Sequence, residues 1–96
     1  MKRMGGYKEP SPADDDIKEL VKSVQTKVEE NTNEKYSTFE AISYTSQVVA
    51  GTNYTIKVKV DNDKYIHVSI FKPLPHTGKE CRVSDVQTGK TLNDQL

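Results

Sequence analysis

Residues 54–71 read YTIKVKVDNDKYIHVSIF, and this stretch decides the fold class. Apolar positions alternate with polar ones in both of its halves: Tyr54, Ile56, Val58 and Val60, then Ile66, Val68 and Ile70. A period of two gives a strand one buried face. The sequence DND between the halves, residues 61–63, is typical of a turn. The stretch therefore predicts an antiparallel hairpin with one apolar face.

Further strands are predicted on both sides of this hairpin. A long strand over Tyr36–Ala50 precedes it, and Gly51–Asn53 forms a tight connection. A last strand over Cys81–Thr88 follows the loop Pro73–Gly78. Because strands joined by short connections are usually neighbours, residues 36–88 are predicted to form an antiparallel meander. Its apolar face needs a cover.

A helix over residues 14–32 is predicted to supply that cover. Asp14–Asp16 place carboxylates where a helix N-terminus favours them, and they offer an N-cap. Asn31–Asn33 are poor residues for a helix interior and mark its end. Apolar residues recur at three- and four-residue spacing along one face: Ile17, Leu20, Val21, Val24 and Val28. The predicted fold class is α+β, with one long N-terminal helix packed across the sheet.

Chain length and the N-terminal composition complete the domain organisation. A chain of 96 residues has the size of a single domain, so residues 1–96 are assigned to one. Residues 1–13 contain glycines and prolines without periodicity, which predicts a flexible N-terminal arm. The basic residues at the start are followed by no apolar run, so a signal peptide is not predicted and a cytoplasmic location is expected.

Charge and cysteine content narrow the range of functions. The 14 basic and 14 acidic residues cancel, so no affinity for nucleic acid or for a membrane surface is expected. The single cysteine, Cys81, cannot close an internal disulfide, which fits a reducing compartment. The two histidines and this cysteine lack the spacing of zinc ligands, so neither a metal nor a cofactor is predicted.

An enzyme would have to use Cys81, His67 or His76 as its nucleophile or base. Cys81 begins a strand, where a small apolar residue suits the fold. His67 lies on the less apolar face of its strand and is expected to be solvated or hydrogen-bonded at the surface, and His76 lies in a loop. The prediction is that the chain is not an enzyme. A thiol hydrolase is the alternative, and it would require an exposed, acidic Cys81 thiol.

Uncharged segments stand at three places outside the predicted core: Met4–Gly6, Gln47–Gly51 and Leu74–His76. Two adjacent valines beside a turn are unusual, because turns are normally polar and a strand buries alternate residues. Either Val48 and Val49 simply end a strand, or one of them faces solvent or a partner. Apolar side chains at a turn are also what a protein uses to enter the groove of another protein.

These segments resemble the cystatins, and among them the type 1 group, the stefins. The residues Gln47-Val48-Val49-Ala50-Gly51 match the Gln-x-Val-x-Gly motif of the family, and Thr52-Asn53-Tyr54 continue its stefin form. Gly5 matches the arm glycine of the family, and Leu74-Pro75 match its second hairpin loop. The likeness covers nearly the whole chain, and the three motifs in this order are highly specific.

The resemblance implies a cystatin-like fold, in which a long helix crosses a twisted antiparallel sheet of four to five strands. The arm and two hairpin loops would then align along one edge as a wedge. The implied function is reversible, tight-binding, competitive inhibition of papain-like cysteine proteases of the cathepsin type, whose active-site cleft the wedge blocks.

The resemblance also assigns the protease-binding residues. In the arm, Arg3 and Met4 would enter pockets on the nonprimed side of the cleft, and Gly5 would give the backbone freedom to approach the protease. The first loop would lie over the catalytic cysteine of the target, and it consists of Gln47, Val48, Val49, Ala50 and Gly51. Leu74, Pro75 and His76 would press on the primed side.

A non-inhibitory binding module on the same fold is the main alternative. Two stefin-like chains can exchange the helix and the first long strand when the first loop straightens. Such a domain-swapped dimer buries the first loop and cannot inhibit. The monomer is therefore the expected active form, and papain-like proteases are its expected partners.

Overall fold

The computed structural model describes residues 10–74, 80–94 and 96, except for the side chains of Val49 and Asn62. Its helices and strands are, in chain order, β1 (Ser11–Pro12), α1 (Asp15–Ser23), α2 (Gln25–Thr32), β2 (Phe39–Val49), β3 (Gly51–Val60), β4 (Lys64–Lys72) and β5 (Arg82–Lys90). The strands form an antiparallel sheet in the order β1-β2-β3-β4-β5. The predicted fold class is confirmed.

The helix begins and ends where its capping residues predict. The Oδ1 atom of Asp14 accepts a hydrogen bond from the Ile17 amide at 2.9 Å, which satisfies one of the unpaired amides of the first turn. Asn33 follows the last turn with a left-handed backbone, at a φ of 59°. Asparagine tolerates that conformation better than most residues, so it stops the helix.

Between these ends the predicted helix is interrupted at Val24, which separates α1 from α2. The Ser23 hydroxyl donates a hydrogen bond to the Leu20 carbonyl at 2.7 Å, and the Val24 amide turns to the Val21 carbonyl, three residues back. A serine that bonds to the preceding turn commonly bends a helix. The apolar spacing continues unbroken through this point, which is why it gives no sign of the interruption.

The apolar stripe of α1 and α2 packs on one face of the sheet. The core contains residues that the two periodicities predict: Ile17, Val21, Val24 and Val28 from the helices, and Ile56, Val58, Val60, Ile66, Val68 and Ile70 from the strands. Ala41 of β2, which neither pattern includes, is buried with them. Burying each valine or isoleucine side chain stabilises the fold by about 1.5–3 kcal/mol. Leu20 and Tyr54, which belong to the same patterns, are half-buried against this core.

The opposite face of the sheet, here called the outer face, is partly covered by the C-terminal turn. The buried Lys57 side chain donates hydrogen bonds to the carbonyls of Leu92 and Asp94. Its cross-strand partner His67 is only 4% exposed, and the His67 Nε2 atom finds no hydrogen-bond partner among the described residues. The expectation that His67 is solvated or hydrogen-bonded at the surface is therefore wrong, because distant residues bury it.

Several strand boundaries differ from the sequence prediction. Gly51–Asn53, predicted as a connection, begin β3, so the chain reverses at Ala50 instead. In the predicted arm, Ser11 and Pro12 pair with β2, and the Ala13 amide donates to the Ile42 carbonyl at 3.0 Å. A strand of two residues has no periodicity to read. Pro12 has no amide hydrogen to donate, and it is tolerated because β1 lies at the edge of the sheet.

One end of the sheet, where β2 begins and β3 ends, is here called the far end. The Asp61 carboxylate accepts hydrogen bonds from the amides of Ser37 and Thr38, and these bonds lower the pKa of Asp61. Similarly, the Tyr36 amide and the Gln25 side chain donate to the Glu29 carboxylate and lower its pKa. Side chains therefore tie the helix and the chain leading into β2 to the sheet at this end.

Candidate functional site

The first hairpin loop closes at the other end of the sheet. Val48 pairs with Thr52 and Val49 with Gly51, so Ala50 alone forms the reversal. The Val48 side chain is 81% exposed, and Ala50 is exposed as well. Of the two readings of the adjacent valines, the structure supports the one in which a valine faces solvent or a partner. The loop presents apolar side chains without any charge.

Gly51 is the one residue of this loop for which no other amino acid fits. Its φ of 128° lies in a region that residues with a Cβ rarely adopt. A Cβ at this position would lie 2.6 Å from the Lys72 carbonyl oxygen and 2.8 Å from Cζ of Phe71. Glycine therefore lets the first hairpin close tightly against the end of β4.

The second hairpin begins at the same end of the sheet. Thr52 pairs with Lys72, so the residues that leave β4 start beside the first loop. Leu74, two residues further on, is 39% exposed. We call the exposed apolar residues Val48, Ala50 and Leu74, with Gly51 between them, the loop edge. Pro75 and His76, which the sequence assigns to the second loop, lie outside the described residues.

The N-terminal strand runs beside the first hairpin. Ser11 pairs with Tyr44 and Pro12 with Ser43, which makes β1 antiparallel to β2. The predicted arm residues Arg3, Met4 and Gly5 lie outside the described residues.

Next to the loop edge, the outer face carries polar groups that the sequence analysis did not assign to a site. A shallow depression of about 250 Å³ is lined by Thr45, Ser46, Gln47, Asn53, Tyr54, Thr55, Ser69, Ser84 and Asp85. Gln47, a predicted site residue, is half-buried there. Beside it the Arg82 guanidinium lies over the Phe71 ring, 5.4 Å from the ring centroid. Single polar residues at alternate strand positions carry no sequence signal for such a site.

The candidate catalytic residues are placed by the fold. Cys81 is half-buried against the core just before β5. His67 is buried, and this burial is the main reason why its pKa is lowered. The nearby positive charges of Lys57 and Lys90 lower the pKa further. His76 lies outside the described residues.

Within the described ranges, no group of three or more acidic, histidine or cysteine side chains is arranged to hold a metal ion. Nor is any helix there long and apolar enough to cross a bilayer.

Comparison with known proteins agrees with this architecture. The family model described as "Cystatin domain" matches residues 5–93. Cystatin-A of Felis catus is 48% identical over 92 residues, which cover 96% of this chain and 94% of the relative. Leukocyte cysteine proteinase inhibitor 1 of Sus scrofa is 47% identical over 92 residues, covering 96% and 89% of the two chains. Stefin-C of Bos taurus is 39% identical over 93 residues, covering 97% and 92%.

Helices packed across one face of a five-stranded antiparallel sheet place the chain in the class of small α+β proteins with a cystatin-like fold. The chain belongs to the cystatin family, in its type 1 or stefin group.

Proposed function

We propose that the chain is a reversible, tight-binding, competitive inhibitor of papain-like cysteine proteases, cathepsins among them. The observation that carries this proposal is the loop edge, where the 81% exposed Val48 stands beside the start of the second hairpin. The match to the cystatin domain and the relative named a cysteine proteinase inhibitor support it.

The loop edge suits a mechanism in which the cleft is filled and no covalent step occurs. In papain-like proteases a catalytic cysteine acts with a histidine that serves as its base. A loop closed by one residue, Ala50, presents the exposed Val48 to this pair while Gly51 keeps the backbone tightly folded, and Val49 is proposed to bind with it. Substrate is excluded because its groove is occupied, and no extended peptide bond is offered for attack. The chain itself acts as a binding protein and not as an enzyme.

The arm is proposed to join the first loop by continuing the pairing of β1 with β2. The pairs Ser11 with Tyr44 and Pro12 with Ser43 place β1 beside the strand that ends in the first loop, and this supports the proposal. Met4 and Arg3 then reach past the loop edge into the nonprimed side of the cleft, and Gly5 allows the close approach.

The second hairpin loop is proposed to bind on the primed side through Leu74, Pro75 and His76. Leu74 supplies an exposed apolar side chain at the start of this loop. Apolar burial in a groove is the main source of affinity at such an interface, and a few residues usually carry most of it. No metal or cofactor takes part in this mechanism.

The active form is proposed to be the monomer in the cytoplasm. A lone half-buried Cys81 leaves the fold independent of disulfides, which suits a reducing compartment. A domain-swapped dimer would require the hairpin at Ala50 to straighten, so that β2 and β3 form one long strand. Size-exclusion chromatography followed by papain titration of each fraction tests this. Stoichiometric inhibition by the dimer fraction alone would overturn the proposal.

The function is tested by replacing Val48 with a charged residue and comparing it with a matched site. Val48→Asp should weaken papain inhibition at least about a hundredfold, because a buried, unpaired carboxylate costs several kcal/mol. Leu92→Asp is the control, since Leu92 is also an exposed large apolar residue, 52% exposed, but lies in the C-terminal turn. Equal inhibition constants for the two variants would show that the loop edge is not the binding surface.

A further inference from the structure

We propose that Gly51, Phe71 and Arg82 form a stack on the outer face that fixes the two hairpin loops relative to each other. Phe71 is then a positioning residue for inhibition, and Arg82 acts through it. This inference rests on the proposed function, because it concerns how firmly the loop edge is held for binding. It adds residues that lie outside the loops themselves.

The first contact in the stack joins Gly51 to Phe71. The Phe71 ring fills the space that a Cβ on Gly51 would need, since that Cβ would lie 2.8 Å from Cζ and 3.1 Å from Cε1. The ring thus packs directly on the backbone of the residue that closes the first loop. Flat aromatic rings suit such contacts because they are large and have few rotatable bonds.

The second contact joins Phe71 to Arg82. The two residues are cross-strand partners on β4 and β5, and the guanidinium lies 5.4 Å from the ring centroid. Asn53 pairs with Phe71 from the other side, so the stack spans three strands of one face. The ion pair found within the described residues joins Lys59 to Asp63, and no described carboxylate pairs with Arg82. The ring is therefore the contact that orders the guanidinium.

The position of Phe71 in the chain explains why the stack couples the loops. Gly51 ends the first loop, and Phe71 lies three residues before Leu74 in the second. Besides the ring, the backbone ladder around Thr52 and Lys72 is a described contact between the starts of the two loops. A loop edge that is fixed before binding loses less conformational entropy in the complex, and such effects appear mainly in dissociation.

The test compares Phe71→Leu with Tyr65→Leu. Both residues are half-buried aromatics on the outer face of β4, but Tyr65 lies at the far end. We expect Phe71→Leu to raise the dissociation rate of the papain complex about tenfold, with association within about twofold, and Tyr65→Leu to leave both rates unchanged. Equal dissociation rates for the two folded variants would overturn the proposal.

Arg82 is tested by a conservative and a neutral variant. Arg82→Gln removes the cation from the ring and should raise dissociation about threefold, whereas Arg82→Lys keeps a cation there and should stay near the parent. Lys72→Gln is the charge control, because Lys72 neighbours Phe71 in sequence but points to the opposite face. A similar rise of the dissociation rate in Lys72→Gln and Arg82→Gln would mean that overall charge causes the effect. That result would contradict a role for the stack.

A second measurement does not depend on inhibition at all. Nitroxide labels at Val48 and Leu74, in a Cys81→Ser background, report the spread of distances between the loops by electron paramagnetic resonance. The distribution should widen in Phe71→Leu and stay narrow in Tyr65→Leu. If the parent fails to inhibit papain but Phe71→Leu still widens the distribution, the proposed function is wrong and the stack stands. If the distribution is the same in Phe71→Leu as in the parent, the stack does not fix the loops. This conclusion holds whether or not the chain inhibits papain.

Discussion

The two ends of the sheet differ in what their side chains do. At the far end, Asp61 and Glu29 accept hydrogen bonds from backbone amides, and the Tyr36 hydroxyl donates to Thr32 at 3.0 Å. At the loop edge, the apolar side chains of Val48 and Leu74 are exposed, at 81% and 39%. The far end therefore holds the fold together, while the loop edge leaves apolar surface available for a partner.

The comparison predicts that changes at the loop edge affect binding more than stability, and that changes at the far end do the reverse. Gly51 is the exception, because its backbone closes the loop and also packs on Phe71 and Lys72.

Gly51→Ala should cause the largest loss of inhibition. The new Cβ meets the Lys72 carbonyl at 2.6 Å, and a φ of 128° is strained for alanine. The backbone strain alone costs about 1–3 kcal/mol, and relieving the clash displaces the loop. We expect the papain inhibition constant to rise at least about a hundredfold, together with a lower free energy of unfolding.

The matched control for this variant is Gly89→Ala. Gly89 also has a positive φ, 70°, but no atom lies within 4 Å of a Cβ built there, and it lies near the far end of β5. The free energy of unfolding of Gly89→Ala should fall modestly, and its papain inhibition constant should not change. Equal losses of inhibition in both glycine variants would mean that global destabilisation, and not the loop edge, explains the effect.

Asp61→Ala tests the far end. Removing its carboxylate leaves the amides of Ser37 and Thr38 without their side-chain acceptor, so the chain leading into β2 should loosen. We expect a lower midpoint of thermal unfolding, with papain inhibition within about twofold of the parent under conditions where the variant is folded. Unchanged unfolding combined with weakened inhibition would reverse the roles assigned to the two ends.

Acidification should destabilise the chain through His67 before it affects the carboxylates. Burial, and then Lys57 and Lys90, lower the pKa of His67, while Asp94 raises it. A lowered histidine pKa means that the unfolded chain binds the proton first. The contribution of neutral His67 to the free energy of unfolding is therefore fully present above the ordinary histidine pKa, about 6.5. It falls as the pH drops from there toward the lowered pKa.

The carboxylates contribute in a separate, more acidic range. Hydrogen bonds lower the pKa values of Asp61, Glu29 and Asp94, so their stabilisation is lost as the pH falls through the usual carboxyl range and below. Urea unfolding as a function of pH should show both phases in the parent. His67→Gln should lose the first phase and keep the second, whereas His76→Gln should keep both. A first phase that survives in His67→Gln would show that another group titrates.

Cys81→Ser should have the smallest effect. The thiol is half-buried against the core at the start of β5, so its role is packing. Stability should fall by about 1 kcal/mol, because a hydroxyl there lacks a ready partner. Inhibition should stay within about threefold of the parent. A hundredfold loss in the folded variant would reopen the hypothesis of a thiol hydrolase.

Much of the fold is predictable because local patterns determine it. The alternation at Ile56 and Val58 predicts the buried face of the sheet, and Asp14 predicts the first turn of the helix. The features that sequence reasoning missed depend on distant contacts. The burial of Lys57 accompanies its hydrogen bonds to the C-terminal turn, and the two-residue strand at Ser11 requires the edge of β2.

The candidate site also contains features that the sequence predicts and features that depend on distant contacts. Adjacent valines beside a turn signal an exposed apolar loop, and Val48 is indeed exposed. The need for glycine at position 51 is visible in the sequence only as a motif. Its physical reason, the approach of Phe71 and the Lys72 carbonyl, depends on the register between β3 and β4.

Hydrogen–deuterium exchange of the complex with papain tests most directly whether the loop edge is the binding surface. Amides of residues 47–52 and of Leu74 should exchange more slowly in the complex, while the amides of Ser37 and Thr38 at the far end should exchange as in the free chain. Protection confined to the far end, or none at the loop edge under saturating protease, would contradict the account.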